Sequence, residues 1–344
     1  MKSESYTNQV GTPVNIQRLR QFSITGKSSE MRQRMLDEKF ILEDIALLGQ
    51  WTTIYASPNT GKTLLTLWLL KQKLDEAVLD GDFVFYVNSD DNYRGIVEKT
   101  ELAEEWGFHM IAPNQNNFNN NEIVSLMTDL AKSDEANGVV IILDTLKKFV
   151  DLMHKKEASD FGKISRGFVA AGGTLICLAH TNKHKDSEGK SVYSGTSDIR
   201  DDSDCTYILE KLDGSVFQSE VLVEFVNDKN RGNNAERISY SYSKGHAQKY
   251  ADLIASIRRV DGQEVSKLRT ETKNREKLEL DQDAINAISK AIRAGITSKS
   301  SIVKNVNQET GLSHKNIRTV LDERTGSFYD AGHRWEVCAG TIKA

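Results

Sequence analysis

Residues 55–65 read Tyr55-Ala-Ser-Pro-Asn-Thr-Gly-Lys-Thr-Leu-Leu65 and contain a Gly-Lys-Thr tripeptide. The β-rich run Trp51–Tyr55 precedes them and the apolar run Leu64–Leu70 follows, which predicts a strand, a loop and a helix. This order is typical of a P-loop, in which backbone N–H groups and a helix N-terminus bind phosphate. Glycine usually opens the motif and Ala56 stands there instead, but alanine is the smallest replacement and we expect the turn to be kept.

The motif predicts a site for ATP and Mg²⁺. Lys62 is expected to reach the β- and γ-phosphates, the Thr63 hydroxyl to bind Mg²⁺, and Gly61 to let the backbone approach the phosphate. A chance Gly-Lys-Thr in an ordinary loop is the alternative, and the flanking strand and helix argue against it. The predicted nucleotide-binding residues are Ser57, Pro58, Asn59, Thr60, Gly61, Lys62, Thr63 and Leu64.

Composition limits the class of protein. The 344 residues are 38% hydrophobic and 27% charged, as in a soluble globular protein with room for a full core and a small extra domain. We expect no membrane contact, because no apolar run approaches the roughly 20 residues of a membrane span. Three scattered cysteines and a polar N-terminus predict a cytoplasmic protein. With a net charge of −4, any nucleic-acid contact must come from local clusters.

Buried strands followed by polar residues recur along the chain. Strands are predicted at 83–87, 138–144 and 174–180, alternating with helices at 96–106, 122–133 and 158–171, with residues 114–121 as a loop. This alternation predicts an α/β fold with a mostly parallel sheet flanked by helices. Two later strands, 205–212 and 221–227, are predicted to be antiparallel.

The polar residues at the strand ends are candidate catalytic groups, because ligands of open α/β sheets bind at the carboxyl edge. Asp144 is expected to hold Mg²⁺, with a helix N-cap as the alternative. Asp90 or Asp91 could orient or deprotonate the attacking water. His180 could sense the γ-phosphate or be a structural histidine.

Four segments are predicted. Residues 1–38 form an arm with a short helix at 28–36, residues 39–250 the ATPase domain, and residues 251–282 a charged helical connector. Residues 283–344 show three helices followed by a hairpin, formed by residues 328–329 and 334–338. That pattern is typical of a winged helix.

The ordered motifs resemble those of RecA-like ATPases, in the branch of the hexameric replicative helicases. Ala56–Thr63 looks like the P-loop of DnaB-type helicases, which tolerate alanine first. Residues 86–91, 143–147 and 178–181 resemble plasmid RepA-type helicases, and the resemblance covers roughly residues 39–245. It implies a RecA-like core, Lys62 and Thr63 on phosphate and Mg²⁺, and Asp144 as the second Mg²⁺ residue.

The resemblance also implies roles for four further residues. His180 would be the sensor. Asp90 falls where the family has its catalytic glutamate and has a shorter side chain, and Asp91 could share its role. Lys229 and Arg231 resemble the Lys-x-Arg that reaches the γ-phosphate of the neighbouring subunit. An exposed basic turn is the alternative for this pair.

Two lysine-bearing loops correspond to the loops that grip single-stranded DNA in the family. One runs over 147–156 and the other over 182–195, and solvated loops are the alternative for both. The candidate DNA-binding lysines are Lys147, Lys148, Lys155, Lys156, Lys183, Lys185 and Lys190.

The sequence thus predicts an ATP-dependent DNA helicase of a plasmid, phage or mobile element. It would form a homo-oligomer, as a hexameric ring on single-stranded DNA, with a possible replication-initiation partner. Two alternatives stay open: a RecA-like recombinase or mediator, and a nucleotide-gated DNA-binding regulatory or partition protein that uses the C-terminal domain for recognition.

Overall fold

The computed structural model describes residues 14–34, 38–182, 197–212, 220–244, 249–326, 335–338 and 341–343. The helices are α1 Val14–Gln21, α2 Ser28–Arg34, α3 Lys62–Asp75, α4 Tyr93–Trp106, α5 Asn120–Lys132, α6 Lys155–Ala170, α7 Asp198–Asp202, α8 Tyr250–Ala255, α9 Gly262–Leu280, α10 Gln282–Arg293, α11 Lys299–Thr310 and α12 His314–Glu323. The strands are β1 Phe40–Leu42, β2 Ala46–Leu47, β3 Trp51–Ala56, β4 Val84–Asn88, β5 His109–Ile111, β6 Val140–Asp144, β7 Thr174–His180, β8 Cys205–Lys211, β9 Glu220–Lys229, β10 Arg237–Ser243, β11 Arg258–Val260, β12 Glu336–Cys338 and β13 Thr341–Lys343.

A central sheet holds nine of the described strands in the order β11-β10-β9-β8-β3-β7-β6-β4-β5. The six strands from β8 to β5 are joined by parallel pairings, and β10 pairs with β11 antiparallel. The predicted α/β fold with a mostly parallel sheet is therefore confirmed. Because β3, β4, β6 and β7 run in one direction, their carboxyl ends meet at one edge, where the P-loop begins.

Helices cover both faces of the parallel strands. On one face α5 and α6 bury Ile123, Met127 and Phe161 against Trp51 and Leu143 of the sheet. The helix α3 contacts α4 and α8 in another group of helices. Strands sandwiched in this way must be apolar on both sides, which explains why β6 is buried at every position.

The described chain forms two compact units. The first holds the described residues up to Glu210, residues 223–238 and residues 249–257, and it contains every described candidate site residue. The second holds residues 211–212, 220–222 and 239–244 and the described residues from Arg258 onward.

Within the second unit, α10, α11 and α12 enclose their own apolar core with Trp335 and Ile342. Ile288, Ile302 and Ile317 are fully buried there. The strands β12 and β13, which follow these helices in the sequence, pair with each other in antiparallel orientation. The winged-helix assignment of residues 283–344 stays a prediction.

Several elements differ from expectation near the chain ends. Residues 14–21 of the predicted arm form α1, and residues 1–13 lie outside the described residues. The connector at 251–282 contains a short strand, β11, between α8 and α9, so it is not helical throughout. A strand of three residues, such as β11, is too short for its sequence pattern to distinguish it from a loop.

The predicted C-terminal hairpin, of residues 328–329 with 334–338, falls partly outside the described residues and stays a prediction. Among the described residues, β12 pairs antiparallel with β13, a pairing that the sequence analysis did not predict.

Candidate active site

The P-loop joins β3 to α3 through a tight turn. Gly61 has a φ of 91° and Asn59 a φ of 60°, both in the left-handed region that glycine and asparagine adopt most readily. The Thr60 hydroxyl donates to the Ser57 carbonyl at 2.8 Å and closes the loop. Ala56 is the last residue of β3, is buried and has no left-handed φ, so glycine is not required there.

The residues of the loop differ in exposure. The side chains of Ser57, Pro58 and Asn59 are exposed, whereas Thr60 is buried. Leu64 has a buried side chain in the first turn of α3, so only its backbone could contact a nucleotide. The Ser57 hydroxyl lies 3.0 Å from the hydroxyl of Thr181, which follows β7. The loop is thereby tied to the neighbouring strand.

Lys62 and Thr63 converge on Asp144 at the carboxyl end of β6. Lys62 Nζ donates to Asp144 Oδ1 at 2.8 Å, and Thr63 Oγ1 donates to Asp144 Oδ2 at 2.6 Å. Lys62 and Asp144 are both buried. Burial alone would raise the pKa of Asp144, but the charge of Lys62 and the hydrogen bonds to the carboxylate lower it below its usual value.

This cluster fits Mg²⁺ and a nucleotide phosphate. The hydroxyl of Thr63 and the ionised carboxylate of Asp144 are hard oxygen ligands of the kind that Mg²⁺ prefers, and they lie in contact. Lys62 supplies a cation beside the N-terminus of α3, where anions are favoured. These contacts support the predicted grouping of Lys62, Thr63 and Asp144.

Tyr86 is a member of the cluster that sequence analysis missed. It is fully buried in β4, and its hydroxyl donates to Asp144 Oδ2 at 2.8 Å. Burial and the charge of Asp144 raise the pKa of Tyr86 well above its usual value, so the hydroxyl keeps its proton. A tyrosine in a buried strand is usually a core residue; the sequence signals its role only by its position two residues before the polar end of β4 and by its place at the start of the motif at 86–91.

Asp90 and Asp91 have different surroundings after β4. Asp91 forms an ion pair with the buried Lys99 of α4 and accepts a hydrogen bond from Asn88 Nδ2 at 2.7 Å. Lys99 also lies over the ring of Tyr250, with Nζ 4.4 Å from its centroid. Asp91 is thus held by neighbours in the fold, which explains its presence without a catalytic role.

Asp90 instead faces His180 across the edge of the sheet. Its Oδ2 lies 3.7 Å from His180 Nε2, and its side chain is 39% exposed. Burial, together with the positive charges of Lys62 and Lys147, lowers the pKa of His180 below its usual value. At neutral pH His180 is therefore uncharged and can act as a hydrogen-bond partner. The strand ends thus bring Asp90 and His180 together at one edge of the sheet, and their roles as carboxylate and sensor stay predictions.

Arg231 lies near the amino ends of the parallel strands, whereas the P-loop lies at their carboxyl ends. Its NH1 is 3.6 Å from Oδ1 of Asp204, whose Oδ2 accepts from the backbone N–H of Trp51 at 3.0 Å. Trp51 begins β3 and the P-loop follows the other end of that strand. At about 3.3 Å per residue the two ends are roughly 17 Å apart.

Lys229 lies near α7. Its Nζ donates to the carbonyl of Arg200 at 3.0 Å and to that of Asp201. Burial, followed by the charge of Arg231, lowers its pKa. Among the described contacts, neither Lys229 nor Arg231 is joined to the P-loop of its own chain.

The candidate DNA-binding lysines are partly placed. Lys147 and Lys148 are exposed on a short 3₁₀ turn after β6. Lys155 and Lys156 are exposed but begin α6, so the predicted loop 147–156 is wrong over its last two residues. Lysine at a helix start is compatible with the helix because Glu157 follows in the first turn. Lys183, Lys185 and Lys190 lie outside the described residues.

Among the described residues, no helix combines the length and the apolar character needed to cross a bilayer.

Comparison with known proteins gives remote similarity only. No protein-family model matches the chain, and no curated protein matches its sequence. Among solved structures, the RadB recombinase is similar over 63% of this chain and 93% of its own, with 16% identity and a TM-score of 0.41. A KaiC-like protein from the hyperthermophilic archaeon Pyrococcus horikoshii OT3 is similar over 66% of this chain and 100% of its own, with 13% identity and a TM-score of 0.45.

Proposed function

We propose that this chain is a Mg²⁺- and ATP-dependent motor of the RecA-like class that acts on single-stranded DNA as a ring-forming helicase. The observation that carries the ATPase part is the convergence of Lys62 and Thr63 on Asp144 at the carboxyl edge of a parallel sheet. The helicase part is supported by the ordered resemblance of the motifs to hexameric replicative helicases.

The residues of the site would divide the reaction among them. Lys62 would leave Asp144 and bind the β- and γ-phosphates, while Thr63 and Asp144 would hold Mg²⁺. Bound Mg²⁺ would neutralise charge on the phosphates. Asp90 would accept a hydrogen bond from the attacking water and orient it. His180, uncharged at neutral pH, would hydrogen-bond near the γ-phosphate and report its loss.

Completion of the site by a second copy of the chain is supported by the position of Arg231. An arginine at the amino edge of the sheet, roughly 17 Å from the start of its own P-loop, cannot reach its own nucleotide. A neighbouring copy in a ring could present Arg231 and Lys229 to the γ-phosphate, where cations stabilise the developing charge.

Contact with single-stranded DNA is supported by exposed lysines near the site. Lys147 and Lys148 follow Asp144 by three and four residues, so a phosphate contact there would lie close to the hydrolysis site. Exposed lysines bind nucleic acid through salt-dependent phosphate contacts. A replication-initiation partner could load the ring.

The experiment is ATP hydrolysis with and without single-stranded DNA, followed by strand displacement on a forked duplex. We expect hydrolysis that DNA stimulates and displacement that requires ATP. Lys62→Ala should abolish both, and Lys71→Ala is the matched control because Lys71 pairs with Asp75 on the surface of α3. Hydrolysis with filament formation but without displacement would indicate a recombinase or mediator instead.

A second candidate function is a nucleotide-gated DNA-binding regulator. The separate core built by α10, α11 and α12 favours it, since such a unit could recognise DNA by itself. Lys315 and Arg318 are exposed on α12 and would face a phosphate backbone. A sequence-specific footprint that disappears when residues 283–344 are removed would support this function over the helicase.

A further inference from the structure

Among the described residues, three side-chain donors contact the carboxylate of Asp144, and they belong to different elements of the fold. Lys62 and Thr63 belong to the P-loop and the first turn of α3, and both face the place where phosphate and metal would bind. Tyr86 belongs to β4, which pairs directly with β6, the strand that carries Asp144. Its position is therefore set by the sheet and not by the loop.

Binding of a nucleotide with Mg²⁺ requires two of these donors to leave Asp144. Lys62 must turn to the phosphates, and the Thr63 hydroxyl must present its oxygen to the metal. Asp144 is 1% exposed, so a buried carboxylate would be left with few partners at the moment when it must hold the metal. Bound Mg²⁺ would compensate the charge of the carboxylate, but a carboxylate without an outer hydrogen bond would have little to fix its orientation toward the metal.

Tyr86 is the donor that can stay. The residue is fully buried, and its hydroxyl donates to Oδ2 at 2.8 Å, which leaves Oδ1 free once Lys62 departs. Ligating carboxylates generally need such an outer hydrogen bond to keep their orientation, and loss of an outer partner typically weakens metal affinity or activity about 10–100-fold.

We propose that Tyr86 is a positioning residue for the metal: it keeps the Asp144 carboxylate oriented and hydrogen-bonded while Lys62 and Thr63 transfer to the nucleotide. This proposal rests on the proposed nucleotide site. It predicts that Tyr86 contributes to the part of nucleotide affinity that depends on Mg²⁺, and not to the part that persists without the metal.

The test measures binding rather than turnover. The dissociation constant of a fluorescent methylanthraniloyl-ADP is determined with MgCl₂ and with EDTA, and the ratio of the two values reports the metal. In Tyr86→Phe we expect the gain in affinity from Mg²⁺ to fall about 10–100-fold, with the value in EDTA close to that of the wild type. An unchanged ratio in a folded Tyr86→Phe protein would overturn the proposal.

The matched control is Tyr207→Phe. Tyr207 is also fully buried in the sheet, and its hydroxyl donates to the carbonyl of Ala235 at 2.5 Å, away from Asp144. The Tyr207→Phe substitution removes a tyrosine hydroxyl from a similarly buried position. We expect its ratio of dissociation constants with and without Mg²⁺ to equal that of the wild type. An equal fall in both variants would show a general loss of structure and would overturn the specific role of Tyr86.

A second set of variants tests the proposal in case Tyr86→Phe folds poorly. In Asp144→Asn the buried carboxylate charge is gone, so removing the tyrosine hydroxyl no longer leaves a carboxylate without its donor, and the loss of the ion pair with Lys62 is common to the single and the double variant. The double variant should show the same Mg²⁺ ratio as Asp144→Asn alone, because Tyr86 acts through the carboxylate. A further fall in the double variant would overturn the proposal. Absence of nucleotide binding in the wild type would overturn the proposed function itself, and the inference with it.

Discussion

Asp90 and Asp91 are adjacent in sequence, yet their side chains have different contacts. Asp90 is partly exposed and faces His180, whereas Asp91 is paired with the buried Lys99. We expect Asp90→Asn to slow ATP hydrolysis about 10²–10⁴-fold, the usual contribution of a positioned general base, and to leave nucleotide binding intact. Steady-state hydrolysis and equilibrium binding of the nucleotide check this.

Asp91→Asn is the paired control. It should lower the free energy of unfolding by about 1.5–3 kcal/mol, the range for a hydrogen bond to a charged group, because Lys99 loses its partner. Hydrolysis by the folded fraction should change little. Loss of hydrolysis in a stable Asp91→Asn protein, with a silent Asp90→Asn, would place the catalytic carboxylate one residue later.

His180 gives a prediction for pH. Burial and two nearby lysines lower its pKa, so the folded state disfavours the charged ring. The uncharged ring therefore contributes its full stabilisation above about pH 6.5, which is the pKa of histidine in the unfolded state. That contribution to the free energy of unfolding is lost as the pH falls through the pKa of His180 in the folded state. In an NMR titration of the histidine ring protons, the resonance that His180→Gln removes should titrate below pH 6.5.

The cause of this shift can be tested with Lys147. Lys147→Met removes one of the two charges and should raise the pKa of His180. Lys148→Met is the matched control, since Lys148 is also exposed but is not among the groups that shift the pKa of the histidine. A pKa of His180 at or above 6.5 in the wild type would contradict the assignment of an uncharged sensor.

Some contacts between residues of the site could be predicted from the sequence, and others could not. The grouping of Lys62 with Asp144 follows from motif and strand order, because parallel strands end at one edge. The contact between Tyr86 and Asp144 depends on β4 and β6 being neighbours, and strand adjacency is not written in local sequence. The pairing of Asp91 with Lys99 likewise depends on how α4 packs.

At the scale of elements, long apolar strands were predictable and short edge strands were not. β6 and β7 are nearly continuous apolar runs, β3 is rich in residues that favour strands, and all three match their predicted positions closely. By contrast, β5 and β11 have three residues each, and tertiary pairing at a sheet edge decides their conformation.

The C-terminal helices give a prediction at this scale. We expect residues 283–344, extended to Asp281 so that its carboxylate can pair with Arg324, to unfold cooperatively as an isolated fragment. Trp335 is fully buried in that core and is the one tryptophan of the fragment, so its fluorescence reports the transition. Ile288→Ala should lower the unfolding free energy by about 2–5 kcal/mol.

A fragment without a cooperative transition would show that this core depends on the rest of the chain. Ser289→Ala is a suitable control for Ile288→Ala, because it changes a partly exposed position on the same helix. A similar loss of stability in both variants would contradict the core position of Ile288.

At the scale of the whole molecule, the position of Arg231 away from its own P-loop motivates the proposal that activity belongs to an assembly. If Arg231 completes the site of a neighbouring copy, hydrolysis per chain should rise with protein concentration. Single-stranded DNA that organises the ring should raise it again. Trans-acting arginines contribute about 10³–10⁵-fold in other phosphoryl-transfer systems, so Arg231→Ala should bind nucleotide normally yet turn over very slowly.

Mixing Arg231→Ala with Lys62→Ala tests the central claim most directly. Each variant alone lacks one half of every interface. Random assembly of equal amounts gives about a quarter of interfaces with both an intact P-loop and an intact arginine, because each half is drawn independently in a ring. We predict that two nearly inactive proteins recover ATP hydrolysis on mixing, and that a mixture of Lys62→Ala with Lys62→Ala/Arg231→Ala does not. Unchanged turnover in Arg231→Ala, together with full activity of the wild type on dilution to monomers, would contradict hydrolysis at a shared interface.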